Sequence, residues 1–309
     1  MTGPEPRQAT ALAADPAQAW QGPSPATPAA DRPPWIRRAA RSGLSRPGFV
    51  IAVVVVLVVS GWALLPGVFA PGDPLTGVPS QRLQPPDAAH WFGTDQLGRD
   101  LYTRVVHGAS LSLRATLVAV LVALLLGGTV GLVAGFVGRW LDDAAMRLVD
   151  VLLAIPGLLL SLAVVTVLGF GTMNVAIAVG VATAANFARV MRAEVLRVNQ
   201  AVFVEAARSS GVRWYAVLGR HVLPNAFGPV FVMATLELGN AILSVSALSF
   251  LGYGAAPPSP EWGSLIAQGR SYLATAWWLT TLPGLVVAAL VLAVNRVARQ
   301  LDDRGRVTS

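Results

Sequence analysis

The sequence predicts an all-α fold, a polytopic membrane helix bundle of six transmembrane helices with both termini cytoplasmic. Three observations carry that expectation. The 309 residues are 54% hydrophobic and only 13% charged, whereas soluble globular domains carry roughly one-quarter charged residues. Apolar stretches close to the ~20 residues needed to cross hydrocarbon as a helix recur six times along the chain. Arginines concentrate in alternate connecting segments, the pattern that fixes membrane orientation.

The elements follow in order. Residues 1–45 hold most of a Pro/Ala-rich stretch, with eight of the 22 prolines before Trp35 and hardly a large apolar side chain. Such a segment buries too little surface to offset its ordering entropy, so a disordered cytoplasmic tail is expected. The remainder, 46–300, carries spans at about 49–69, 111–137, 148–168, 175–190, 230–251 and 277–297, and 301–309 form a short cytoplasmic tail. Arg37, Arg38, Arg41 and Arg46 precede the first span and hold that end inside. With the N-terminus inside, inner segments carry eighteen arginines and outer segments five.

Within the second span, Gly127, Gly128, Gly131 and Gly135 are small enough for close helix approach. Trp262, Tyr272, Trp277 and Trp278 cluster where the last span begins and are expected to be interfacial anchors. Arg147 and Asp150, three apart near the start of the third span, suit a local ion pair. Leu97, Leu101 and Val105 share helical spacing, with Asp100 and Arg104 four apart. The expectation there is a short amphipathic outer helix ahead of the second span.

Composition also excludes chemistry. All 23 basic residues are arginine, and a Gly-rich phosphate loop needs a lysine to reach the β/γ-phosphates. If ATP drives this protein, another chain hydrolyses it. Cysteine is absent, and His90, His107 and His221 lack metal-ligand spacing, so no metal or other cofactor is expected. An intramembrane enzyme would need a Ser/His pair or paired aspartates inside the membrane. A secondary transporter would need inverted repeats and several intramembrane ionisable groups. Neither pattern is found, and no nucleic-acid partner is indicated.

The segment 199–225, between the fourth and fifth spans, reads differently from an ordinary loop. Val202, Phe203, Ala206 and Ala207 can share one helical face, with Glu205 and Arg208 on another. Gly211 suits a left-handed turn closing that helix. A second short helix from about Arg213 to His221 leads to Pro224, expected to mark a bend into the fifth span. The small side chains of Ala206 and Ala207 would let another protein press close. An interfacial helix lying on lipid is the alternative on periodicity alone.

Glu205-Ala206-Ala207, three residues, Gly211, nine residues, then His221-Val222-Leu223-Pro224-Asn225 resembles the cytoplasmic signature of ATP-binding-cassette (ABC) importer permeases of the peptide/nickel, dipeptide-permease type. Three further stretches are similar to that family. They are Gly93-Thr94-Asp95-Gln96-Leu97-Gly98-Arg99-Asp100, Met146 through Pro156, and Ala247 through Gly252 with Trp262-Gly263-Ser264 beyond.

The resemblance covers about residues 46–295 and implies a type I importer permease in a bacterial inner membrane. The chain would form half of a pathway for di- or oligopeptides, with a nickel complex or other small solute as the alternative cargo. Implied partners are a homologous permease subunit, two cytoplasmic ATPase subunits or domains, an extracytoplasmic solute-binding protein and membrane lipid. Glu205, Ala206, Ala207, Gly211, His221, Leu223, Pro224 and Asn225 would couple to the ATPase.

Pathway-lining candidates come from the residues alone. Glu237, Asn240 and Ser244 fall at i, i+3, i+7 on one side of the fifth span. A carboxylate deep in a bilayer costs on the order of a few kcal/mol, so Glu237 should face protein or water. A polar cluster that only packs helices is the other reading.

Overall fold

A computed structural model describes residues 47–308, with side chains to Gln300. The expected tails at 1–45 and 301–309 thus lie outside the described residues or show only backbone. The helices are α1 (Pro47–Leu64), α2 (Leu101–Val137), α3 (Arg139–Ala154), α4 (Gly157–Leu168), α5 (Thr172–Asn199), α6 (Val202–Ser209), α7 (Leu223–Phe250), α8 (Trp262–Gly269) and α9 (Trp278–Thr308). No strand occurs among the described residues. Five helices are long and apolar enough to span a membrane, six if the bent pair α3–α4 counts as one.

The second span begins earlier than the sequence suggests. Asp100 caps α2 by accepting from the N–H and hydroxyl of Thr103, both at 2.7 Å, so the expected outer helix and the span are one element of 37 residues. At 1.5 Å per residue that is ~55 Å, well beyond the ~30 Å of hydrocarbon. Only Gly108 could have separated the two parts, and a lone helical glycine costs about 1 kcal/mol. A Cβ there would only touch Trp262, at 3.4 Å. One end of α2 therefore sits among the 71–100 and 251–261 loops, the cap end, and the other beside residues 199–214, the loop end.

The α2–α5 pair is the most extensive interface of the bundle. Small residues make it possible: a Cβ on Gly127 or Gly131 would overlap the carbonyl oxygen of Ala184 or Ala188 on α5. Val120, Ala123, Phe187, Met191 and Val195 fill the seam, and the same core continues into α7 through Val230, Ala241 and Val245. A second core joins α1, α2, α8 and α9 through Val59, Val105, Trp262 and Leu290.

The third span departs from expectation. Residues 148–168 do not form one rod: α3 and α4 meet at 99°. Ile155 (φ −90°, ψ 129°) and Pro156 (φ −53°, ψ 129°) are both extended, because the proline ring disfavours helical backbone in the residue before it and carries no N–H to continue the ladder. The ion pair expected between Arg147 and Asp150 is replaced by cross-helix pairs. Asp150 accepts from Arg189 at 2.7 Å, and Asp142 takes Arg192 at 2.5 and 2.6 Å. Asp142 and Asp150 lie eight apart, on the face turned to α5.

Pro224 does not interrupt the helix that leads into the fifth span. The helix runs unbroken from Trp214 to Phe250, widened to a π-turn over Leu218–Val222 in which Leu223 N–H bonds the Leu218 carbonyl. The wider turn relieves the clash between the proline ring and the preceding turn. Two of the four aromatic residues expected at the interface are core instead. Trp262 is wholly buried and donates to the Val105 carbonyl at 2.9 Å, and buried Trp278 donates to the Thr94 carbonyl at 3.3 Å. Trp277 is exposed.

Candidate functional site

At the loop end, α6 is seated by apolar packing. Val204 is fully buried in the main core, Ala207 packs beside it, and Val202 (81% exposed) and Phe203 (49%) point outward with Ala206 and Glu205. The single apolar face expected of Val202, Phe203, Ala206 and Ala207 is thus divided between an inward anchor and an outward apolar tip. Glu205 makes no ion pair among the described residues, and Arg208 turns away from it to donate to the Asn199 amide oxygen at 2.9 Å.

The helix closes as its sequence predicts. Gly211 sits at φ +78° and its N–H reaches the Arg208 carbonyl at 3.0 Å, while Val212 N–H reaches Ala207 at 3.2 Å. This is the paired 6→1 and 5→2 closure of a Schellman motif, for which glycine is favoured because it tolerates a left-handed backbone.

The remaining motif residues lie on the adjoining helical segment. His221 is half-buried with its ring 6.4 Å from that of Phe203. Leu223 is half-buried, Pro224 and Asn225 are exposed, and Asn225 donates to the His221 carbonyl at 2.6 Å. Glu205, Ala206, Ala207, Gly211, His221, Leu223, Pro224 and Asn225 are therefore gathered at one end of the molecule. Residues that spacing does not single out complete the tip. Phe136, Asn199 and Trp214 pack beneath it, with the Phe136 and Trp214 rings 6.4 Å apart.

Farther along α7, Asn240 donates to Glu237 at 3.2 Å. Asn240 is exposed, and Glu237 and Ser244 are half-buried. Gly239, Ala241, Ile242 and Val245 turn into the core. The three polar residues thus share a face of the span that this chain covers only in part.

The cap end holds a buried charge knot. Asp95 accepts from Arg99 Nε at 2.6 Å and from the N–H of Leu97 and Arg99, and Arg104 Nε approaches it at 3.6 Å. Arg104, with no exposed surface, also donates to the carbonyls of Pro74 (2.9 Å) and Pro258 (3.4 Å), joining the two outer loops. Asp100, four residues from Arg104, serves instead as the helix cap and binds His90 Nδ1 at 3.0 Å.

Glu261, which precedes α8, is also fully buried, with no cation in reach among the described residues. The Ser249 hydroxyl and the N–H groups of Ala255, Gly263 and Ser264 lie around its carboxyl, but none has the geometry of a full hydrogen bond. Burial outweighs them and pushes the acid above the usual carboxylate range. Nothing in the spacing of Glu261 announces this.

A family model described as binding-protein-dependent transport system inner membrane component matches residues 127–307. The chain is 39% identical over 257 residues to the dipeptide transport system permease protein DppC of Alkalihalophilus pseudofirmus, covering 82% of this chain and 84% of that one. It is 40% identical over 218 residues to the glutathione transport system permease protein GsiD of Pectobacterium atrosepticum, covering 71% and 72%. Among solved structures, a chain of the MetNI methionine ABC transporter in inward-facing conformations aligns with TM-score 0.50 at 20% identity, covering 63% of this chain and 95% of that one. A chain of an amino acid ABC transporter crystallised with histidines aligns with TM-score 0.51 at 18% identity, covering 66% and 95%. These last two likenesses speak to the fold.

Proposed function

The chain belongs to the family of binding-protein-dependent transport system inner-membrane components, and from that premise we propose that it forms half of a peptide pathway driven through residues 199–225. It is a multi-pass inner-membrane permease subunit of an ABC importer and itself performs no catalysis. ATPase, permease and solute-binding components complete such a system. The finer reading is two ATPase subunits or domains, one homologous permease and a di- or oligopeptide cargo. The names of the relatives, dipeptide and glutathione permeases, favour peptides over a nickel complex.

The observation that carries the coupling role is the tip of α6. Val202, Phe203 and Ala206 present apolar surface next to a carboxylate, Glu205, that has no ion pair among the described residues, on a helix whose other side is fixed in the core. Isolated exposed apolar residues are ordinary, but a cluster rimmed by charge on a rigid seat suits a protein partner. Its residues would sit in a groove of the ATPase, and closure of the ATPase pair would move α6 and the spans behind it as a body.

For the cargo, the partly covered face of Glu237, Asn240 and Ser244 is the candidate lining. A polar face with a carboxylate is poorly suited to lipid, so water or the second permease covers it.

Proteoliposomes holding the complete importer test both assignments through ATP-dependent uptake of a labelled dipeptide. E205R and G211P are expected to lower uptake by at least about tenfold, a loss of 1.4 kcal/mol or more in coupling, while the chain remains in the membrane. E237L is expected to change peptide affinity or rate. Normal transport by E205R and G211P removes the coupling role, and unchanged affinity and rate in E237L reduce that cluster to helix packing.

A further inference from the structure

We infer that Arg208 is a positioning residue that, with Asn199 as relay, ties the α6 tip to α2 beside the α2–α5 seam, so that thrust on the tip moves that helix pair as one block. The inference rests on the proposed coupling role of α6. Chain connectivity alone gives a weaker link, because residues 200–201 between α5 and α6 are a non-helical joint.

The tie is a continuous set of contacts. Arg208 Nη2 donates to Asn199 Oδ1 at 2.9 Å, and Asn199 Nδ2 donates in turn to the Gly135 carbonyl of α2 at 3.4 Å. One amide therefore uses its acceptor toward the tip and its donor toward the span, which fixes its orientation. The Arg208 guanidinium also lies 5.9 Å from the centre of the Phe136 ring, within cation–π range, and Phe136 packs on Trp214 in the segment that follows α6.

Where the tie lands matters. A Cβ on Gly135 would stand 3.0 Å from both the Arg192 carbonyl and Val195 of α5, so Arg208 reaches α2 where the two spans are nearly in backbone contact. Displacement delivered there moves α2 and α5 together, because a seam of glycines against carbonyls has no side-chain slack. Val204 supplies the apolar anchor of α6, but an apolar contact is non-directional. The planar guanidinium, held by one amide and one ring face, adds the orientation.

The test compares R208A, R208K, N199A and the R208A/N199A pair in proteoliposomes of the complete importer, with labelled dialanine as cargo. The readout is peptide imported per ATP hydrolysed. R208A is expected to retain ATPase binding and hydrolysis but to lose about five- to tenfold in that ratio, about the net worth of one intramolecular hydrogen bond. N199A is expected to do the same, the pair to be no worse than the more severe single change because both break one chain, and R208K to recover part.

Spin labels at S210C and V137C read the seat directly, with a distance distribution that broadens in R208A. An unchanged ratio and distance in R208A, or effects of R208A and N199A that multiply as independent, overturns the tie. Loss of ATPase binding in R208A assigns Arg208 to the docking contact and also overturns it. A wild-type chain that recruits no ATPase defeats the parent reading, whereas tight coupling in both wild type and R208A defeats this inference alone.

Discussion

At the scale of single residues, this molecule places charge where solvent cannot reach it, and the two cases resolve differently. Arg104 and Arg99 surround Asp95, so that site is a paired network whose partners include backbone carbonyls. Glu261 has no counter-charge among the described residues, and burial raises its carboxyl above the ordinary value near 4.5. The consequence for stability has a definite sign. Below the ordinary carboxylate range both folded and unfolded chains hold the proton, and Glu261 carries no penalty. As pH rises, the unfolded chain ionises first, which favours unfolding until the folded acid also loses its proton. Thermal unfolding in detergent from about pH 4 to about pH 8 is therefore expected to show E261Q gaining on the wild type as pH rises, with little difference at the acid end. A constant difference across that range would show that Glu261 ionises as easily folded as unfolded.

At the scale of elements, the contrast between α2–α5 and α3–α4 shows which helix properties a sequence displays. The glycines of α2 were legible as a contact stripe because small residues at helical spacing mean the same thing in any bundle. G131L is expected to force α2 from α5 and destabilise by about 1–3 kcal/mol as an overpacked contact. G128A, whose added methyl meets the flexible tips of Met191 at 3.6 Å and Leu124 at 4.0 Å, should be neutral or mildly stabilising through helix propensity. Equal unfolding midpoints for G131L and the wild type in detergent would contradict the close approach. Pro156 was equally visible, yet its 99° consequence was not, since a proline permits a kink or a break and packing chooses. The same holds for Pro224, where a π-turn carries the helix through. Partners were the least legible feature. Arg147 stands three residues from Asp150, but α3 lies across α5 and gives that carboxylate to Arg189. Likewise Trp262 and Trp278 lie where an interfacial belt would, but each indole N–H found a buried carbonyl. Within 205–225 the turn at Gly211 was legible because a Schellman closure depends on local chemistry, whereas the division of the α6 face between core and solvent depends on packing.

At the scale of the whole molecule, two ends of different character follow from the fold. The cap end is closed by long loops, buried ion pairs and Trp262, and the loop end presents a small apolar tip beside arginines. Between them, α7 leaves Asn240 exposed beside Glu237, which a lone chain surrounded by lipid would not tolerate without cost. Covering that face without cost takes water or a second protein surface. The excess of arginine in alternate segments further argues that the loop end faces the cytoplasm, because arginine-rich short loops resist translocation. This orientation can be read chemically, since the chain contains no cysteine and any introduced thiol is the only one. In cells with a permeabilised outer membrane, an impermeant maleimide is expected to label A88C, at an exposed position of the cap end, without lysis. S210C, exposed beside Gly211, should label only after the inner membrane is broken. Labelling of S210C in intact cells would place the α6 tip on the wrong side for an ATPase, and the coupling role would fall with it.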